Sequence, residues 1–223
     1  MVYKFNLEIQ KVKYTIMDGI IFDLDGTLWD SSKQVVPAWN TVLTKYNQKN
    51  INSDDMAGYM GKTLAMISRL MLPDLSHEQA MDILYECCEQ EQVYLREHGG
   101  SLYPDLEITL QKLAKTYQLF IVSNCQLGYL NAFFKAHNLK SYFKDYECSG
   151  NTGLPKTENI KLIIERNNLK DAIYVGDTEL DMEATFAAGI SFVLAEYGFG
   201  NVHNAKNKIS CFSDMLKLDY DNL

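Results

Sequence analysis

No run among these 223 residues is long and apolar enough to span a bilayer, so transmembrane helices are not expected. Near the N-terminus no basic stretch leads into an apolar one, which argues against a secretory leader. Positive charge is also scarce: 21 Lys and Arg stand against 29 Asp and Glu, a net charge of −8. That balance disfavours broad attraction to nucleic acid or anionic membrane, so an anionic small substrate would have to be recruited by local groups. The five cysteines (Cys87, Cys88, Cys125, Cys148 and Cys211) are an odd number without CxxC pairing. They read as reduced thiols of a cytoplasmic protein rather than a zinc site or a disulfide framework. His77, His98, His137 and His203 lack ligand spacing, and there is no internal repeat or low-complexity tract. What is present is a 47% apolar chain with material for a well-buried core.

The stretch Gly19-Ile20-Ile21-Phe22-Asp23-Leu24-Asp25-Gly26-Thr27-Leu28 organises the rest. A short apolar run ends abruptly in two carboxylates, then a glycine and a hydroxyl. This is the grammar of a buried parallel strand emptying into a functional loop at its carboxyl end, where open α/β sheets place their ligands. Asp23 and Asp25, at i and i+2, are expected to project to one side. Two anions that close repel, so the pair invites a shared proton or a divalent cation, and hard oxygen ligands favour magnesium. Read blandly, the same residues are a strand ending in a solvated acidic turn.

Ahead of this stretch, Tyr3, Phe5, Leu7 and Ile9 alternate with polar residues and suggest an additional edge strand. After it, Asp30-Ser31-Ser32 supplies capping residues for a helix carrying Val35, Val36, Trp39, Val42, Leu43 and Tyr46. Further helices are expected over Ser53 to Met60, over Lys62 to Leu72, and from a Ser76–Gln79 capping box to about Glu97, with Gly99-Gly100 as the exit. From Tyr103 the pattern becomes alternating: a helix near 106–114, a strand at Leu119–Val122, a helix to His137, a weaker strand near Phe143–Cys148, a helix over Thr157–Asn167, a strand at Ala172–Val175, a helix to Ala188 and a strand at Ile190–Ala195. The expected fold is α/β: a doubly wound parallel-sheet core, residues 1–30 and 99–223, with a small all-helical cap, residues 31–98, inserted after the first core strand.

Three predicted strands end in polar residues: Asp23 with Asp25, Ser123-Asn124, and Gly176-Asp177. Parallel strands bring such ends to one edge. The loop Thr152 to Thr157 adds Lys156 at a helix start, where ammonium and helix terminus both favour phosphate. Acid, hydroxyl and cation together are what a phosphoryl group requires.

Four ordered features carry a resemblance to the haloacid dehalogenase (HAD) superfamily of phosphohydrolases. Asp23 to Leu28 resembles its first motif, DxDGT[LV]; Ser123 resembles the second, Lys156 the third, and Gly176-Asp177-Thr178-Glu179-Leu180-Asp181 the fourth, GDxxxD. The likeness runs from Met17 to about Phe199, with residues 31–98 in place of the helical cap, and points to the branch that is phosphoglycolate phosphatase-like or β-phosphoglucomutase-like. It implies that Asp23 attacks phosphorus to form an aspartyl phosphate and that Asp25 protonates the leaving oxygen and then activates water. Mg2+ would be held by Asp23, the Asp25 carbonyl and Asp177, with Asp181 supporting the shell. Ser123 and amides near Asn124 would hold phosphoryl oxygens, Lys156 would stabilise transition-state charge, and Thr27 would orient Asp25. Two residues depart from the pattern: Thr157 stands where relatives often have proline, and Leu180 where a polar residue is common.

Lys62, in a Gly61-Lys62-Thr63 loop resembling one that faces the site in relatives, is a candidate substrate contact; for Arg69 a solvated helix face is the better reading. The resemblance thus implies a Mg2+-dependent phosphatase acting on a small phosphorylated metabolite. The other readings are a β-phosphoglucomutase-like phosphotransferase and, in another class, a non-catalytic phosphometabolite-binding regulator.

Overall fold

The structure, a computed structural model, describes residues 17–223, and the alternating segment around Tyr3 to Ile9 lies outside the described residues. The chain opens on β1 (Gly19–Phe22), and the short β2 (Trp29–Asp30) leads into four helices: α1 (Ser32–Lys45), α2 (Ser53–Tyr59), α3 (Leu64–Met71) and α4 (His77–His98). The chain returns through β3 (Ser101–Leu102), which pairs antiparallel with β2, Trp29 opposite Leu102 and Asp30 opposite Ser101. Both crossings to and from the helical insertion therefore run through one two-stranded ribbon. Then follow α5 (Leu106–Leu113), β4 (Gln118–Ser123), α6 (Tyr129–His137), β5 (Asp145–Cys148), α7 (Ser149–Thr152), α8 (Lys156–Asn167), β6 (Ala172–Gly176), α9 (Glu179–Ala188), β7 (Ser191–Ala195) and β8 (Asn207–Ile209).

Six strands form a parallel sheet in the order β5-β4-β1-β6-β7-β8. Strand alternation divides the core in two. Ile20, Phe22, Ile121, Ile173, Val175 and Val193 face a layer that includes residues of α5, α6 and the inserted helices. Ile21, Phe120, Val122, Tyr174, Phe192 and Leu194 face α8 and α9. With both faces covered, the strands read as continuous apolar runs. This is the expected doubly wound sheet with a helical insertion after β1.

Cap chemistry sets the helix starts. Asn52, one residue ahead of the expected Ser53, begins α2 with a capping box to Asp55; Ser76 and Gln79 form the anticipated box on α4. Thr63 caps α3, so that helix begins at Leu64 rather than Lys62. The β2–β3 ribbon, α7 and β8 went unread because elements of two to four residues are too short to display a period.

Candidate active site

The strand ends are level: Phe22 pairs with Ile121 on one side and Val175 on the other, so Asp23 follows one residue before Ser123 and Asp177 come into register. The Asp23 amide donates to the Val175 carbonyl at 2.8 Å, which ties the motif to the neighbouring strand. Strand pairing of β1 stops at Phe22, so strict alternation no longer governs Asp25, and the two carboxylates bond to different partners.

Asp23 is buried with Lys156, the first residue of α8, whose ammonium donates to Asp23 Oδ1 at 2.8 Å and also to Asp181 Oδ1. Burial raises the Asp23 carboxyl to about 7 against the opposing pull of Lys156, and Asp181 adds to the rise. Burial alone would lower the lysine, but Asp181 and Asp23 reverse that and hold it above its usual range. Tyr174, from β6, donates to the Val122 carbonyl at 2.7 Å and lies beneath the ammonium, 5.7 Å from Nζ to the ring centroid.

Asp177 follows β6. Its Oδ2 accepts the amides of Phe199 at 2.7 Å and Gly200 at 3.4 Å. Glycines make that grip possible: a Cβ on Gly26, which has φ +84°, would sit 2.1 Å from Asp177 Oδ2, and one on Gly198 would sit 2.3 Å from Asp177 Cβ. Burial first, then Asp181 and Asp23, push the Asp177 carboxyl well above its usual range. Asp181 serves α9 as well, its Oδ2 accepting from the Thr178 amide at 2.9 Å and hydroxyl at 2.6 Å in a capping box.

Asp23 Oδ2 and Asp177 Oδ1 are buried without a hydrogen-bond partner. An oxygen from each of Asp23, Asp177 and Asp181 lies within 4.8 Å of the others. Unpaired buried carboxylate oxygens are costly, and an all-oxygen donor set suits a hard divalent cation, so these residues fit one.

Asp25 occupies a different environment. Its Oδ1 accepts from Trp29 Nε1 at 2.9 Å, the Tyr129 hydroxyl at 2.8 Å and the Ser31 hydroxyl at 3.3 Å. Burial raises this carboxyl to about 6, and the donors from Tyr129, Trp29 and Ser31 restrain the rise. Thr27 is not the orienting residue expected from the motif: its hydroxyl is buried with no hydrogen-bond partner among the described residues. A tight turn explains this, with the amides of Thr27, Leu28 and Trp29 all closing on the Leu24 carbonyl, so that Trp29 is the residue returned to Asp25. Ser31 likewise does not cap α1; Asp30 takes the Ser32 amide instead.

Asp25, Ser123, Asn124 and Lys62 line one small cavity between the sheet edge and the inserted helices. Ser123 is buried, its hydroxyl accepting the Cys125 amide at 3.3 Å. Asn124 does more than form a turn: its Nδ2 donates to the Gly61 carbonyl at 3.0 Å and latches the helical insertion to the sheet. A Cβ on Gly61 would sit 2.9 Å from the Thr178 methyl, so the two parts are closed on one another. Lys62 is near the cavity, but its ammonium donates to the Gly58 carbonyl at 2.6 Å. Sequence reasoning missed Trp29, Ser31 and Tyr129 as partners of Asp25 and left Glu91, on the cavity wall, unmentioned. For Trp29 the signal was its position four residues past Asp25; for Tyr129 there was none.

Comparison with known proteins matches residues 20–195 to the family described as haloacid dehalogenase-like hydrolase. A curated phosphoglycolate phosphatase from Aquifex aeolicus is 28% identical over 91% of this chain and 96% of its own length. One from Aliivibrio fischeri is 26% identical over 82% and 85%. Among solved structures, a haloacid dehalogenase-like family hydrolase from Streptococcus pneumoniae superposes with TM-score 0.79 at 22% identity, covering 90% of this chain and 97% of that one. Two strand ends carrying acids, a third carrying Ser123, a buried lysine beside them and a match across most of the chain lead to one assignment: the protein belongs to the haloacid dehalogenase-like hydrolases.

Proposed function

We propose that the protein is a Mg2+-dependent phosphatase that hydrolyses a small phosphomonoester in the cytoplasm through an aspartyl phosphate on Asp23. The observation that carries this reading is the pair of orphaned oxygens, Asp23 Oδ2 and Asp177 Oδ1, buried beside a lysine that neutralises only their neighbours. The names of the curated relatives support phosphatase chemistry. The five free cysteines are in keeping with the compartment, and among the described residues no helix is long and apolar enough to cross a membrane.

Asp23, Asp177 and the Asp25 main-chain carbonyl would hold the metal, with Asp181 supporting it. Bound there, the ion offsets carboxylate repulsion and the charge of the phosphate. One oxygen of Asp23 would attack phosphorus while the other stays with its cationic neighbours, of which Lys156 lies on Oδ1. The bond to the leaving oxygen breaks as Asp25 hands it a proton. Water then attacks the phosphorus, Asp25 takes its proton, and the Asp23 carboxylate is restored. A group that must give and then take a proton works best with a pKa near the working pH, which is where burial and three donors leave Asp25. Ser123 and nearby amides would hold phosphoryl oxygens. Closure of the helical insertion over Asp25 keeps bulk water out during the first step.

The test is inorganic phosphate release from an aryl phosphate with and without Mg2+, in the wild type and in Asp23→Asn. Release that requires both the metal and Asp23 is expected; equal rates in the two proteins would indicate binding without catalysis. A sugar monophosphate returned as an isomer instead of free phosphate would select the phosphotransferase. Lys62 is the cation on the cavity wall, and a second basic cluster for another phosphate does not line it, which favours hydrolysis.

A further inference from the structure

Opposite Asp25 and the segment Ser123–Gln126, the cavity wall is built from the inserted helices, and its one acid there among the described residues is Glu91 of α4. Glu91 is 5% exposed. Its Oε2 accepts from Trp39 Nε1, and its Oε1 accepts from Gln126 Nε2 at 3.4 Å. These contacts hold the carboxyl in place without using all of its lone pairs. Met56, Met60 and Ile67 supply apolar wall around it. Among the described residues no arginine lines the cavity, and Lys62, the cation that does, is drawn back to the Gly58 carbonyl. The cavity volume is about 50 Å³. At roughly 10–15 Å³ for each water-sized group, this closed form admits only a short alcohol.

We propose that Glu91 reads the leaving group, so that the site takes small phosphomonoesters whose alcohol carries a hydroxyl or an ammonium and turns away those carrying a carboxylate. The inference rests on the phosphatase reading of the same site. A hydroxyl or ammonium reaching Glu91 finds a fixed acceptor in a low-dielectric wall, where a donor–acceptor pair is strong. A carboxylate finds a second acid, no guanidinium and apolar neighbours, and a buried charge left unpaired is costly. Burial, with Asp25 nearby, lifts the Glu91 carboxyl to about 8, so the contrast is sharpest above that pH, where the carboxyl accepts and cannot donate. This separates the protein from the substrate in the names of its curated relatives.

The experiment measures phosphate release by the full chain with Mg2+ from hydroxyethyl phosphate, phosphoethanolamine and phosphoglycolate, three esters of similar size, with p-nitrophenyl phosphate alongside. Both donor-bearing esters are expected to exceed phosphoglycolate in kcat/KM by roughly tenfold or more, and whichever leads identifies a neutral or a cationic leaving group. In Glu91→Gln, whose amide can donate to a carboxylate, that ratio is expected to shrink, mainly through a gain on phosphoglycolate. Phosphoglycolate as the best of the three, or a folded Glu91→Gln with an unmoved ratio, overturns the inference and leaves the phosphatase standing. If the variant does not fold, the wild-type ranking decides alone. Silence from every ester, the aryl phosphate included, overturns the phosphatase and the inference with it.

Discussion

Tyr129→Phe deletes one oxygen from the group that holds Asp25 and leaves the ring in place. Tyr129 is 2% exposed, and its ring meets Trp29 edge-on at 5.6 Å, a contact that phenylalanine keeps. The lost atom is the donor 2.8 Å from Asp25 Oδ1. A hydrogen bond to a charged group contributes about 1.5–3 kcal/mol, and the lower end applies because Trp29 and Ser31 still donate. At 1.36 kcal/mol per pKa unit, a loss of ~1.5 kcal/mol corresponds to roughly one pH unit. Donors favour the ionised carboxylate, so removing one makes ionisation harder and takes Asp25 further above the value near 6 to which burial has lifted it. In the proposed mechanism Asp25 must be protonated to serve the leaving oxygen. The alkaline limb of kcat/KM for an alkyl phosphate therefore moves up by about one pH unit. With p-nitrophenyl phosphate, whose leaving oxygen needs no proton, the limb stays put. Phosphate release across the pH range at saturating Mg2+, with thermal melts to establish folding, measures both. An alkyl-phosphate limb that is unmoved or moves down refutes the role given to Tyr129.

Lys156→Met strands the acids it bridges and is expected to lower stability by about 3–5 kcal/mol and abolish phosphate release; a variant melting like the wild type would contradict the weight given to that pair. Gly26→Ala forces a side chain onto Asp177 at a positive φ, so the rise in melting temperature expected with Mg2+ in the wild type should be lost in the variant. Without metal, Asp23 near 7 and Asp25 near 6 both stand above the ordinary 3.8, so the folded state binds more protons than the unfolded one. Stability in chelator should then fall as pH rises from about 4 through 7, Mg2+ should flatten that slope, and urea unfolding across the window would expose the opposite trend.

The motif-bearing strands were legible because burial on both faces forces apolar runs, and such a run ending in an acid is hard to read otherwise. Asp23, Asp177 and Lys156 come together because parallel register makes neighbouring strand ends coincide. Asp25 illustrates the limit. Its partners come from the ribbon, the loop after it and a helix 104 residues downstream, and nothing in the local pattern of Tyr129 distinguishes a ring that packs from one that donates. Glu91 was hidden for a related reason: on a helix rich in Glu and Gln, a single buried acid has the same sequence context as its exposed neighbours.

Two carboxylates two residues apart are suited to different work because their surroundings differ, one against a cation and two acids, the other against neutral donors. The neutral set has a geometry of its own. Trp29 lies in the ribbon and Tyr129 on a helix packed against the sheet, and their bonds to Asp25 are 2.9 and 2.8 Å. Ser31 precedes α1, the first inserted helix, and its bond is the longest at 3.3 Å. An opening that carries α1 away would pull on Ser31, whose hydroxyl also meets the Tyr129 hydroxyl at 2.7 Å, while the two shorter bonds keep the carboxyl in place. Opening would remove one donor, which raises the proton affinity of Asp25, and would admit water, which lowers it by relieving the burial that is the larger cause of its shift.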